Sequence, residues 1–252
     1  MKIALAAAIL LLGVTTGMPS SCVGCSFAGR QLQGADLSGV SYVGADFARA
    51  DLRNAKLQRA NLTGADFHNA DLRGADFTGS KLAGIDLQGA RIAGARFDGA
   101  SMAGIDLRGT LDGVSDADAR SVLHACVGCD LRGATLAGRD LHGIAIVGAD
   151  LRDAKASNVR LQGADLQGVD FNDADLRNAN LRGARVCSRN TGSWSNGGES
   201  IGCASFSGAD VRGTDLRGTL LCSGREPHTC TPLDATTLRA HARSDLSGAI
   251  LP

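Results

Sequence analysis

Residues 65–79 read ADFHNADLRGADFTG, three copies of a five-residue unit with the pattern Ala-Asp-large-x-x. The large apolar residue recurs at every fifth position from Phe27 to Leu107, from Leu131 to Val186 and from Phe206 to Leu221. A small residue, usually Ala, stands two positions before the large one, and Gly often stands two positions after it. A period of five residues therefore organises most of the chain.

The five-residue period excludes an α-helix. Five residues turn a helix by about 500°, so successive large residues would lie about 140° apart and form no apolar stripe. In an extended chain, residues two apart share a face, which suits the small and large positions. Because five is odd, the chain must bend after each unit, and Gly tolerates such corners. Repeated bending predicts a narrow coil whose turns stack at about 4.8 Å, the spacing of β-strands.

These units resemble the pentapeptide-repeat family, whose motif is Ala-Asp/Asn-Leu-x-x. The resemblance covers most of the chain and implies an all-β fold, a right-handed quadrilateral parallel β-helix with four units per coil. It places the small and large positions inside, and short helical insertions interrupt the coil. Arg30 and Arg139 occupy small positions, where an unpaired buried charge would be very costly. We expect both arginines to lie near coil ends and to reach solvent.

An internal match divides the chain into two halves. Cys22-Val23-Gly24-Cys25 recurs as Cys126-Val127-Gly128-Cys129, and each half ends in a stretch outside the five-residue pattern. We expect a first repeat half at 22–111 and a helical insertion at 112–125 with Ser115 as N-cap. The second repeat half at 126–221 would carry a disulfide loop at 187–203. Residues 222–252 are expected to form a second disulfide loop, a short helix and a terminal coil.

The first residues predict an exported protein. Lys2 precedes an apolar run from Ile3 to Val14, which is too short to span a bilayer and is typical of a signal peptide. Small residues before Met18 indicate cleavage there, with residues 1–17 as the leader; an uncleaved anchor is the alternative. The rest of the sequence has no long apolar stretch, so we expect a secreted or periplasmic bacterial protein without a membrane span after leader removal.

Eight cysteines behind a leader favour disulfide bonds over free thiols. The candidates are Cys22, Cys25, Cys126, Cys129, Cys187, Cys203, Cys222 and Cys230. We expect each Cys-x-x-Cys pair to form a local disulfide, and the other four cysteines to close two polar loops. A four-thiolate zinc site and a pair of redox-active dithiols are the alternatives for the Cys-x-x-Cys pairs.

Composition argues against nucleic-acid binding and against catalysis. The chain has 26 basic and 26 acidic residues, whereas binding to phosphates normally requires a basic excess. It contains no Gly-x-Ser-x-Gly, His-Glu-x-x-His or Gly-Lys-Ser/Thr motif. We therefore expect no enzyme activity, no cofactor and no metal site.

Residues twenty apart would stack if each coil holds four units. Lys56, Asp76 and Arg96 would then alternate in sign, and one acidic column would contain Asp46, Asp66, Asp86 and Asp106. Such a column either belongs to the repeat itself or mimics a row of DNA phosphates, as is thought for family members that protect DNA gyrase. Trp194, the single Trp, lies in the 187–203 loop and is a candidate recognition residue; the alternative is a ring folded back onto the coil.

These observations predict a non-catalytic scaffold that offers a rigid surface to another protein or to a cell-envelope component. Two alternatives stay open: a DNA mimic acting on a DNA-binding enzyme, and a Cys-x-x-Cys redox or metal-binding protein. Coil ends expose unpaired backbone groups, which would also permit end-to-end homodimers.

Overall fold

The computed structural model describes residues 18–124, 126–190, 200–222, 230–241 and 246–252, without the side chains of 189, 190, 200–202 and 241. Residues 1–17, the predicted leader, lie outside these ranges, as does Trp194. Through the repeat stretches the backbone alternates short extended segments with two-residue turns, and no helix forms there. The sequence-based exclusion of helix in the repeats is confirmed.

Successive coils stack through isolated parallel bridges, most of them between residues twenty apart. The bridging residue is the one before the large position. Asp66 donates its N–H to the Ala45 carbonyl of the coil above at 2.9 Å, and Phe67 donates to the Asp86 carbonyl of the coil below at 2.7 Å. Because a turn follows each short extended segment, most coils contain bridges rather than the regular strands that the sequence suggested.

Four stacks of bridges form four sides of the coil. We number the sides 1 to 4 by their first and last bridging residues: Ser26 to Ser205, Gln31 to Asp210, Asp36 to Ile250, and Ser21 to Leu220. On side 1 the bridges continue without a break through the two predicted halves, since Asp106 bridges directly to Asp130. The halves therefore form one stack, and side 1 is about 38 Å long at the usual strand spacing.

The small and large positions fill the interior. Leu52, Phe67 and Leu166 are each fully buried, as the inward packing of the large position predicts. Aromatic rings stack from coil to coil, with centroids 5.0 Å apart for Phe47 and Phe67. Burying a large apolar side chain contributes about 1.5–3 kcal/mol, so this inner column is the main source of stability.

Regular strands occur near the N-terminus and around the disulfide-linked segments. Strands β1 (Ser21–Val23) and β2 (Ser41–Val43) are parallel. Four more strands form one sheet in the order β4-β3-β5-β6: β3 (Arg185–Asn190), β4 (Ser200–Cys203), β5 (Leu220–Cys222) and β6 (Cys230–Pro232). Strand β3 is antiparallel to β4 and parallel to β5, and β6 is antiparallel to β5.

Two short helices leave the repeat. Helix α1 spans Asp116–Leu123, with Ser115 as its N-cap, and helix α2 spans Ala235–His241. Asp234 precedes α2 and accepts the Thr237 N–H at 2.8 Å, which satisfies a free donor in the first turn. Neither helix has the length or the apolar composition needed to cross a bilayer, and the described residues contain no other candidate.

Helix α1 replaces part of one coil on sides 2 and 3. Within the described ranges, no bridge joins Arg91 to Thr135 on side 2 or Arg96 to Asp140 on side 3. Side chains of α1 take over some of the missing backbone bonds: Asp118 accepts the Gly94 N–H at 3.1 Å from the coil above. Asp116 accepts the Asp140 N–H at 2.9 Å, and Arg120 donates to the Asp140 carbonyl at 3.0 Å, in the coil below.

Arg139 is not at a coil end, so its predicted position is wrong. Its side chain is only 12% exposed and lies under the segment that leads into α1. The guanidinium donates to the carbonyls of Leu111 at 2.5 Å and Val114 at 3.0 Å, and pairs with Asp116 at 3.3 Å. The insertion removes the coil that would otherwise cover this position, and its carbonyls satisfy the charge. Arg30, in the first coil, is exposed, as expected.

Candidate interaction surface

The longest ordered row of charge lies on side 1. Parallel bridges stack the four predicted aspartates, and the row then continues through three more. We call this row the aspartate column; its members are Asp46, Asp66, Asp86, Asp106, Asp130, Asp150 and Asp170. The last three do not follow from a spacing of twenty residues, because the insertion separates Asp106 from Asp130 by twenty-four. The internal match of Cys22–Cys25 with Cys126–Cys129 is the signal that identifies the continuation, because it also aligns Asp46 with Asp150 and Asp66 with Asp170.

Each member of the aspartate column also caps the turn that follows it. One carboxylate oxygen accepts the backbone N–H two residues later, at 2.9 Å in Asp46, 2.7 Å in Asp66 and 2.7 Å in Asp86. The same contact recurs in the four remaining members. Asp and Asn favour such turns because their short side chains reach this N–H. The repeat therefore requires an acceptor here for structural reasons. The second carboxylate oxygen of Asp46 accepts the Ser26 hydroxyl at 3.1 Å, whereas those of Asp66 and Asp86 have no hydrogen-bond donor among the described residues.

The two ends of the aspartate column differ in how many ion pairs they form. We call the N-terminal end, Asp46, Asp66 and Asp86, the upper column and the rest, Asp106, Asp130, Asp150 and Asp170, the lower column. In the lower part, Arg108 lies 2.5 Å from Asp106 and 3.5 Å from Asp130, and so connects two coils. Arg132 and Arg152 repeat this arrangement, reaching Asp150 and Asp170 at 3.7 and 3.8 Å. In the upper part, Ala48, His68 and Gln88 stand where these arginines would be. Among the described residues, Asp46, Asp66 and Asp86 form no ion pair, and the nearest arginine of the column, Arg108, acts on Asp86 only at longer range, so the upper end carries an excess of negative charge.

Arginine partners lower the pKa values of Asp130 and Asp150. Hydrogen bonding from the Arg132 side chain is the largest cause of the lowered pKa of Asp130, and Arg152 has the same effect on the pKa of Asp150. The pKa of Arg152 is raised in turn, chiefly by the hydrogen bond to Asp150. Both groups of each pair are therefore charged at neutral pH, and the lower column is a row of alternating charges.

Side 3 is also locally neutralised. Lys56 lies 3.8 Å from Asp36, and Arg96 lies 3.5 Å from Asp76, so basic and acidic residues alternate down this side in the predicted order. Exposed pairs of this kind contribute about 0–1 kcal/mol each to stability. Their main effect here is to cancel charge, which leaves the upper aspartate column as the one-sign patch on these two sides.

All eight cysteines form four disulfides, each between neighbours in sequence. The pairs are Cys22–Cys25, Cys126–Cys129, Cys187–Cys203 and Cys222–Cys230. Cys126 takes a large position and Cys129 the next small position, and both are buried inside the coil. Cys22 and Cys25 occupy the equivalent positions five coils above, about 24 Å away at the usual spacing. The two pairs therefore do not share a metal ion, and the described residues contain no cluster of three potential metal ligands.

Comparison with known proteins gives one family and several solved structures. The family described as pentapeptide repeats matches residues 31–69, 70–109 and 146–183 with eight copies. No curated protein matches the chain significantly. A pentapeptide-repeat protein from the Arabidopsis thaliana thylakoid lumen is 30% identical, covers 44% of this chain and 80% of its own, and gives a TM-score of 0.19.

Two further solved structures match over longer stretches. HetL from the cyanobacterium Nostoc, a pentapeptide-repeat protein involved in regulating heterocyst differentiation, is 26% identical over 80% of this chain and 86% of its own, with a TM-score of 0.35. QnrB1, a plasmid-mediated fluoroquinolone resistance protein, is 23% identical over 75% of this chain and 79% of its own, with a TM-score of 0.22. The matched repeats and the twenty-residue stacking lead to one conclusion: this chain belongs to the pentapeptide-repeat family.

Proposed function

We propose that the protein is an exported, non-catalytic scaffold whose rigid coil presents a charged surface to another macromolecule. The coil is a right-handed quadrilateral β-helix in this proposal, as the family resemblance implies. The observation that carries it is the upper aspartate column. Asp46, Asp66 and Asp86 hold three carboxylates without ion-pair partners on stacked backbone bridges, at spacings of about 4.8 Å. A partner with a matching row of basic groups would bind without reordering this surface.

Export rests on two independent features of the chain. The sequence before Met18 has the composition of a signal peptide, and all eight cysteines are paired in the structure. Disulfides of this number persist in oxidising compartments and are rare in the cytosol. Cell fractionation followed by N-terminal sequencing tests this part of the proposal. Mature protein outside the cytoplasm that begins at Met18 is the expected result, and cytoplasmic protein retaining residues 1–17 would contradict it.

Binding through the upper aspartate column is tested by chemical cross-linking in intact cells. The Asp46→Asn, Asp66→Asn, Asp86→Asn triple variant should lose the cross-linked partner, or the partner should dissociate at lower salt. The control variant Asp36→Asn, Asp112→Asn, Asp234→Asn makes the same charge change at exposed positions outside side 1 and outside the cleft described below, and should keep the partner. Equal loss in both variants, or in neither, would contradict a role for this surface.

A DNA mimic that binds a DNA-binding enzyme is the second candidate. The length of the aspartate column favours it, because seven stacked carboxylates extend over about 29 Å. The three interleaved arginines of the lower column and the zero net charge argue for the scaffold instead. Inhibition of a DNA-binding enzyme by purified protein at physiological salt, lost in the Asp46, Asp66, Asp86 triple variant, would favour the mimic.

A further inference from the structure

Helix α1 covers only part of the gap that it makes in the coil. In a complete coil, Phe77 donates its N–H to the Arg96 carbonyl at 2.8 Å, and Gly79 donates to the Asp98 carbonyl at 2.9 Å. One coil further down on the same side, the equivalent donors are the N–H groups of Phe97 and Gly99. Neither has an acceptor among the described residues.

The coil directly below the gap has a backbone carbonyl with no hydrogen-bond donor among the described residues. In the next coil, the Gln162 carbonyl accepts the Gly143 N–H at 2.9 Å, as the repeat requires. In the coil directly below the gap, the equivalent carbonyl belongs to His142, and no donor within the described ranges bonds to it. Side 3 therefore carries two free donors above the gap and one free acceptor below it, where one segment of extended backbone is missing.

A cleft of about 290 Å³ lies at this position, beside the C-terminal half of α1. Its walls include Phe97 from the upper coil, Ser121 and His124 from the helix end, and His142 and Ile144 from the lower coil. Phe97 and Ile144 are buried, with 4% and 3% exposure, and form the floor of the cleft, whereas the His142 side chain is 62% exposed at the rim. His142 also contacts the Asp140 carboxylate at 2.8 Å, which fixes the orientation of its ring.

We propose that this cleft binds a short extended peptide segment of a partner protein, which completes the interrupted ladder on side 3. The peptide carbonyls would accept the N–H groups of Phe97 and Gly99, because alternate residues of a parallel ladder point their N–H groups to the same neighbour. A peptide N–H would donate to the His142 carbonyl. Strand addition of this kind gains affinity from main-chain bonds.

This inference rests on the proposed scaffold function, since it names a second contact for the same class of partner. It does not depend on the aspartate column, which lies on side 1. The cross-linking variants and the cleft variants therefore fail separately. A partner that is lost in the Asp46, Asp66, Asp86 triple variant and kept in a cleft variant would overturn the inference and leave the proposed function standing.

The probe for the cleft is a random heptapeptide library displayed on phage and selected against the full chain. The strongest peptide is then synthesised in its natural form and with N-methylated amides, and its affinity is measured by titration calorimetry. We expect N-methylation to weaken binding by about tenfold or more, because it removes main-chain donors. A library that yields no binding peptide, or a peptide that binds equally well when N-methylated, would overturn the inference.

Ser121→Phe fills the cleft, and Ala117→Phe, at an exposed position of the same helix, is its matched control. We expect Ser121→Phe to weaken peptide binding by about tenfold or more and Ala117→Phe to change it less than about twofold. Equal effects of the two variants would overturn the inference. Amide hydrogen exchange in the unmodified chain decides the matter if Ser121→Phe does not fold. Slower exchange at Phe97 and Gly99 with bound peptide supports the cleft, and unchanged exchange at both overturns it.

Discussion

The guanidinium of Arg139 donates a hydrogen bond to the main-chain carbonyl of Leu111 at 2.5 Å, across twenty-eight residues of sequence. This contact joins the second half of the coil to the segment that leads out of the first. Together with the bonds to Val114 and Asp116, it satisfies a charge at a position where the repeat normally has Ala.

Arg139→Ala should therefore destabilise the protein by about 2–3 kcal/mol, because it removes charge-assisted hydrogen bonds to partly buried carbonyls. Arg30→Ala is the matched control, since Arg30 also stands at a small position but is exposed, and it should change stability by less than about 0.5 kcal/mol. Urea unfolding of both variants measures the difference. Equal losses would show that Arg139 does not hold the insertion in place.

Replacing a corner glycine by Ala should cost an amount of stability that depends on what lies in the coil above it. Gly64 and Gly74 have φ angles of +69° and +70°, so Ala at either position is strained and should cost about 1 kcal/mol. A Cβ at Gly74 would also lie 2.3 Å from the Asn54 side-chain oxygen, whereas Gly64 has open space. Because the exposed Asn54 side chain can rotate away, Gly74→Ala should cost only about 0.5 kcal/mol more than Gly64→Ala, and Asn54→Gly in the same chain should remove the excess. Thermal unfolding of the four variants tests this, and an excess that persists without Asn54 would contradict it.

Acid should destabilise the coil through its Asp–Arg pairs. The Arg212 hydrogen bond is the main cause that lowers the pKa of Asp210 to about 2, and Arg53, Arg177 and Arg217 lower the pKa values of their own Asp partners. A carboxylate with a lowered folded-state pKa stabilises the fold above its unfolded value near 3.8. That contribution disappears as pH falls through the folded value.

The free energy of unfolding should therefore be nearly constant from about pH 7 to pH 5 and should fall between about pH 4 and pH 2. Urea unfolding at successive pH values measures the curve. The Asp210→Asn variant removes one such pair and should show a shallower decline. A decline that is complete above pH 5 would contradict the assignment to aspartates.

The disulfides should stabilise the fold according to the length of chain that they close. Cys187–Cys203 closes a separation of 16 residues and Cys126–Cys129 a separation of 3. Loop-closure entropy gives about 3 kcal/mol for the longer loop and about 2 kcal/mol for the shorter one. Chemical unfolding of the two paired Cys→Ala variants measures both values, and a larger loss for Cys126→Ala, Cys129→Ala would contradict this order.

The repeat alone predicted the interior of the coil and the stacking of residues twenty apart. Each unit carries its own signal: an inward Ala, an inward large residue and a corner residue such as Gly74. The prediction failed where the unit is interrupted. Local composition indicated a helix after Ser115, but the number of residues by which the insertion shifts the stacking depends on how α1 packs between coils.

The same limit explains why the aspartate column was predicted too short and why Arg139 was placed wrongly. The continuation of the aspartate column through Asp130 could not be placed without knowing the shift of twenty-four residues. Arg139 looked costly at a small position because its acceptors, the Leu111 and Val114 carbonyls, lie in the insertion and become neighbours only after folding. The cleft beside α1 likewise results from packing, and none of its residues forms a recognisable motif.

The most direct test of the stacked coil is a distance across the insertion. Spin labels at Asp46→Cys and Asp170→Cys, read by double electron–electron resonance, span six bridge steps on side 1. A continuous column predicts a single narrow distribution centred near 29 Å, at about 4.8 Å per step. A broad distribution, or one centred well above that distance, would show that α1 separates the halves and would contradict the account.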